Sequence, residues 1–215
     1  MNLNQKFISQ LCVCLGICFF IGITDSFAQI SYTIISNVKV GSITAKSSEA
    51  ELKKIYGEKN VQSADVGLGE GETAPGTVIY PNDEKRKIEI VWKDQESKKF
   101  PDFVQLTGDK SLWKTKEGIS LGTSLKRLEK INGKSFTLLG FDWDYGGTVY
   151  SWRKGKLAKP FGNQDHKVVV RLGYQNAEKL GKYIDKVIGD IEFSSKNKAM
   201  QRINPTIYQI IVDFP

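Results

Sequence analysis

Ile43-Thr44, three residues, then Ser48-Glu-Ala-Glu-Leu52-Lys-Lys54-Ile55-Tyr-Gly57 is a stretch that returns later in the chain as Ile119-Ser120, three residues, then Ser124-Leu-Lys-Arg-Leu128-Glu-Lys130-Ile131-Asn-Gly133. In each copy a hydroxyl residue stands where a helix would start and a glycine where it would stop in the left-handed conformation. Ser48 with Glu51 has the spacing of a capping box, in which side chain and backbone satisfy each other's free N–H groups. Leu52 and Ile55, matched by Leu128 and Ile131 with Leu125 added, recur at helical spacing and are expected to face a sheet.

Working outward, Gly76-Thr77-Val78-Ile79-Tyr80 has a counterpart in Gly147-Thr148-Val149-Tyr150-Ser151, and Lys87–Trp92 has one in Lys167–Leu172. These segments are rich in β-branched and aromatic residues and bounded by turn formers, so they read as strands. Ile30–Ile35 reads as an initial strand, the charge cluster Asp83–Lys87 as a turn, and Gly67–Gly76 and Asp94–Asp102 as loops. Ala177, Leu180, Ile184, Val187 and Ile188 suit a helix, and Ile207–Phe214 suits a strand after the Asn204-Pro205 break. The fold class that follows is α+β. Two tandem helix-plus-antiparallel-sheet units are expected over 29–110 and 111–215, the second carrying the extra C-terminal helix and strand.

At the N-terminus Lys6 precedes an apolar run from Leu11 to Ile23, followed by Ser26-Phe27-Ala28. This is the pattern of a signal peptide over 1–28 and places the mature chain in a secreted or periplasmic setting. The run is shorter than the roughly 20 residues a spanning helix needs, so no transmembrane anchor is expected. All three cysteines, Cys12, Cys14 and Cys18, lie within it, which leaves the mature chain without disulfide, thiolate ligand or cysteine nucleophile. Lipid anchoring is not expected, because Cys18 follows Ile17 instead of a small residue.

The formal net charge is +7, from 31 Lys and Arg against 24 Asp and Glu. It favours anionic partners, a protein or an anionic envelope component. The basic residues are spread along the chain without a compact nucleic-acid patch, so no nucleic acid is expected.

Catalytic signals are sparse. The only histidine, His166, follows Gly162-Asn-Gln-Asp165 in an expected turn, with no Gly-x-Ser-x-Gly nucleophile to serve. One histidine without mature cysteines disfavours zinc, and the glycines at 67, 69 and 71 lack the following helix that phosphate binding needs. No catalytic residue, metal site or cofactor is therefore assigned. Asp142 and Asp144 flank Trp143 in Phe141-Asp-Trp-Asp-Tyr-Gly-Gly147. On a strand the two acids would point the same way and could hold a cation or work as acid and base on a sugar bond; beside Gly146-Gly147 they equally suit a hairpin turn. Trp143, Tyr145 and Trp152 are the aromatic binding candidates, and Trp92 at a strand end is expected to be structural.

The short helix ending in glycine and followed by antiparallel strands, present twice, resembles the repeats of the β-lactamase-inhibitor-protein family and of small outer-membrane assembly lipoproteins. The residues that carry this are Ile43, Ser48, Leu52, Ile55 and Gly57 with Ile119, Ser124, Leu128, Ile131 and Gly133. The resemblance implies two helix-on-sheet units whose sheets present aromatic side chains to a protein. The chain departs from that family in lacking both the inhibitors' disulfides and the lipoproteins' acylated cysteine. The expected function is that of an exported binding protein, an inhibitor or envelope accessory acting through an aromatic sheet face. The alternatives are a carbohydrate-active enzyme or lectin using Asp142 and Asp144, and a structural envelope protein.

Overall fold

The computed structural model describes residues 31–108, 110–162 and 167–215. The expected signal peptide over 1–28 lies outside them, as does His166 with the three residues before it. In chain order the elements are β1 (Thr33–Ile35), β2 (Lys39–Val40), α1 (Glu49–Tyr56), β3 (Val61–Gly69), β4 (Glu72–Ile79), β5 (Ile88–Asp94), β6 (Lys99–Thr107), β7 (Lys114–Thr115), α2 (Leu125–Asn132), β8 (Thr137–Leu139), β9 (Val149–Ser151), α3 (Ala158–Phe161), β10 (Val168–Gly173), α4 (Ala177–Leu180), β11 (Glu192–Ser194), α5 (Lys198–Ile203) and β12 (Thr206–Asp213). The fold is α+β: an antiparallel sheet in the order β10-β12-β6-β5-β4-β3, with small sheets β2-β1-β7 and β11-β8-β9.

Both helices start as their sequences direct. Ser48 Oγ accepts from the Glu51 N–H at 3.3 Å while Glu51 Oε2 accepts from the Ser48 N–H at 3.0 Å, which completes the capping box. Ser124 Oγ accepts from the Arg127 N–H at 3.3 Å. Gly133 ends α2 in the left-handed conformation; Gly57 also has positive φ, but its ψ of 135° sends the chain into a single 3-10 turn. Leu52, Leu125 and Leu128 are buried. Ile55, expected to face the sheet, is 48% exposed; Tyr56, four residues beyond Leu52, takes that place and packs edge-on against Tyr80.

Each helix start is tied to the start of a central strand. Glu49 N–H donates to Lys98 O and Phe100 N–H to Ser47 O; likewise Leu125 N–H donates to Pro205 O and Ile207 N–H to Thr123 O. The two strands so anchored, β6 and β12, lie side by side in the large sheet with Val104 opposite Val212 and Gln105 opposite Ile211. One hydrophobic core runs through both halves, from Leu52, Ile90 and Val104 to Leu128, Val170 and Ile210.

The stretch Gly67–Gly76, expected as a loop, is most of a long hairpin. β3 and β4 pair from Val61↔Ile79 to Gly69↔Glu72, with a register shift between Gly67 and Gly69. The hairpin curls over the face of the sheet away from the main core: Gln105 Nε2 on β6 donates to the Gly67 carbonyl at 3.3 Å and to Glu89 Oε2 at 2.8 Å, and Val66, Ala74 and Val91 form a second small core with Phe103. Such a bend needs glycine. A Cβ on Gly76 would lie 2.4 Å from Ile90 O on β5, closer than any side chain allows. The expected helix after Ala177 stops at Leu180 and passes through a 3-10 turn; Ile184 and Val187 still reach the core, while Ile188 is exposed.

Candidate functional site

Phe141–Gly147 is a turn between β8 and β9, not a strand, so Asp142 and Asp144 do not share a pleated face. Three backbone hydrogen bonds shape it: Gly146 N–H to Trp143 O, Thr148 N–H to Tyr145 O, and Gly147 N–H to Gly140 O. Asp142 sits at φ 63°, a conformation that short polar residues tolerate best. Phe141 anchors the turn from below: its N–H donates to Val187 O, and its ring meets Tyr174 edge-on at 5.2 Å.

From this base Trp143 and Tyr145 project as an edge-to-face pair with centroids 5.4 Å apart. Trp143 Nε1–H donates to Gly140 O at 3.0 Å, fixing the indole while leaving it half-buried; Tyr145 is 42% exposed. The Arg171 guanidinium, from β10, lies 5.5 Å from the Tyr145 ring centroid, within range of cation–π attraction, and its Nη1 reaches Asp144 O at 3.5 Å. The tip of the β3–β4 hairpin completes the cluster: the Glu70 carboxylate, as an acceptor beside the phenol and then through its charge, raises Tyr145 above its ordinary pKa. The patch is thus assembled from β3–β4, the 141–147 turn and β10, elements far apart in sequence.

Of the two carboxylates, Asp142 has a side-chain partner of its own. Tyr174 Oη–H donates to Asp142 Oδ1 at 2.6 Å; burial first, and then this bond, push the Tyr174 phenol up to about 12. Asp142 is therefore occupied in holding the turn to β10's end. No group of three His, Cys, Asp or Glu that could hold a metal occurs among the described residues.

Trp152 does not join the patch. It is only 2% exposed, its ring set between Phe136 at 5.2 Å and Phe161 at 5.6 Å, where it ties α3 to the common core. Trp92 is structural as expected, its Nε1–H donating to Thr77 Oγ1 at 2.9 Å in the core. The aromatic patch lies on a turn beside the edge strand, not on an open sheet face. Arg171, Glu70 and Tyr174 escaped the sequence reading, since nothing local connects them to Trp143.

No family model matches the chain, and no curated protein and no solved structure matches it. No helix among the described residues is long and apolar enough to cross a membrane.

Proposed function

We propose that the chain is a non-catalytic binding protein of the cell envelope or exterior, exported by its N-terminal segment, that grips a partner protein through Trp143 and Tyr145. The observation that carries this reading is the rigid, edge-to-face Trp143–Tyr145 pair, solvent-facing at Tyr145 and flanked by Arg171. Aromatic and arginine side chains that are held in place before binding lose little entropy on contact and dominate interface energetics. Export and the resemblance to secreted inhibitors support it from the sequence side, as do the matched caps and strand ties of α1 and α2, which favour descent from one duplicated unit.

The test is capture from envelope and secreted extract with the mature chain and its Trp143→Ala and Tyr145→Ala variants. A partner that survives high salt and is lost at least tenfold in both variants, with unchanged melting, is the expected result. Equal capture by wild type and variants overturns the assignment. The acids beside the rings keep a lectin reading in view: a glycan retained on an array by wild type but not by Asp144→Asn would replace the protein partner.

A further inference from the structure

The two halves divide the charge unequally. Residues 31–110 hold 12 basic against 13 acidic residues, a formal −1, whereas residues 111–215 hold 18 against 10, a formal +8. The whole excess therefore belongs to the second half, and part of it converges on one place. Lys126 and Lys130, one turn apart on α2, Lys134 just past its glycine cap, Arg153 and Lys154 after β9, and Lys196 before α5 line two abutting open hollows of about 670 and 350 Å³ that share Gly133, Lys134, Ser135 and Lys196.

The frame under these cations is rigid. Asn132, 1% exposed, donates from Nδ2 to Lys134 O at 3.0 Å and to Trp152 O at 3.2 Å, and accepts at Oδ1 from the Leu157 N–H at 3.0 Å. One side chain thus clamps the end of α2 to the 152–157 turn. Ser195, fully buried, accepts from the Phe136 N–H and so fixes the Lys196 segment to the same frame. The single acid lining the hollows, Glu129, accepts from the Ser195 hydroxyl and from Gln201 Nε2 and pairs with no lysine. None of the six cations takes part in an ion pair among the described residues. The helix C-terminus favours cations, but only for Lys130 and its immediate neighbours. Six cations gathered around two abutting hollows repel one another, and a bound polyanion removes that repulsion.

We infer that this hollow is a second binding site, for an acidic polysaccharide carrying sulfate or carboxylate groups at every few ångströms. Five of the six cations are lysines, point charges that accept anionic groups without demanding one orientation. No aromatic ring lines the hollows, so bases have nothing to stack on, as single-stranded nucleic acid requires. No exposed apolar side chain lines them to enter a lipid surface.

The experiment titrates the full mature chain against dextran sulfate and uncharged dextran at 50 and 200 mM salt. Alongside run the triple variant Lys134→Gln/Lys154→Gln/Lys196→Gln and a control of equal charge loss in the first half, Lys46→Gln/Lys54→Gln/Lys59→Gln. Expected are binding to the sulfated polymer only, a loss of at least tenfold in the first variant and less than threefold in the control. Equal losses in the two variants overturn the site. Binding of single-stranded DNA or of vesicles with anionic lipid as tightly as the sulfated polymer overturns the ligand class. Trp143→Ala, which disables the proposed protein-binding turn, leaves dextran sulfate binding intact, so the two sites fail separately.

Discussion

The helices α1 and α2 start in like positions on the sheet yet bury opposite chemistry. After the Ser48 cap comes Glu49, whose Oε2 accepts from Thr77 Oγ1–H at 2.6 Å; Thr77 in turn accepts from the Trp92 indole, and Lys53 and Lys98 approach the carboxylate at 2.9 and 3.0 Å. After the Ser124 cap comes Leu125, fully buried, and the hydroxyl of Thr148, the counterpart of Thr77, is buried without a hydrogen-bond partner. The six ion pairs found among the described residues all lie between residues 49 and 110. The first half pairs several of its charges with one another. The other packs an apolar residue at the matching place, and the six cations around its hollows face solvent without an ion pair among the described residues.

The comparison breaks most sharply at its shared glycines. A Cβ on Gly147 would lie 1.8 Å from Leu172 O at φ 73°, and one on Gly76 would lie 2.4 Å from Ile90 O. Gly147→Ala and Gly76→Ala should each lose about 3 kcal/mol or more, Gly147→Ala the larger, since overlap and backbone strain add there. Denaturant midpoints measure both; tolerance of alanine at either position shows that the strand approach is not needed in that half.

The next effect separates the halves. Glu49→Ala strands the Thr77 hydroxyl and two lysines and should cost about 2–3 kcal/mol at neutral pH, the range for breaking a partly buried charge network. Burial pushes the Glu49 carboxyl up, but the bonds from Thr77, Lys53 and Lys98 outweigh it and hold the group below its ordinary value. Its contribution is therefore present above the ordinary glutamate pKa and is lost as pH falls through the lowered one. Wild type and variant should converge on acidification. A gap that persists in acid means that packing, not charge, is what Glu49 supplies.

The elements themselves were legible because their signals are local. Ser48, Glu51 and Ser124 specify helix starts within four residues, and Val168, Val170 and Leu172 alternate as a strand with one buried face must. The hairpin over Gly67–Gly76 was hidden by its glycines, which look like a loop until Gly76 is seen to make room for Ile90. Trp152 and Trp143 look alike in sequence; the arrival of Phe136 and of Phe161 from α3 buries one of them. The basic hollow could have been suspected from the charge count by halves, but its walls come from three separated segments joined by Asn132 and Ser195, residues whose local context carries no such message.

The smallest effect concerns the seam where β6 of one half meets β12 of the other. Asp213 ends β12 with its N–H bonded to Lys167 O, while Phe214 N–H donates to Asp102 O and Lys93 Nζ donates to Phe214 O. Burial, and then the charge of Asp102, push the Asp213 carboxyl up to about 6 from the ordinary 3.8. A raised acid favours the folded state only while protonated, so this stability is complete below the ordinary value and is lost as pH rises through about 6. Asp213 is partly open to solvent, which limits the loss at neutral pH to about 1–2 kcal/mol. Asp213→Asn should accordingly melt above wild type at pH 7.5 and level with it at about pH 4. Asp102→Asn should give a smaller gain in the same direction, because burial is the first cause and repulsion the second. An Asp213→Asn advantage of equal size at both pH values would place its origin in packing at the seam and leave the two halves without electrostatic coupling there.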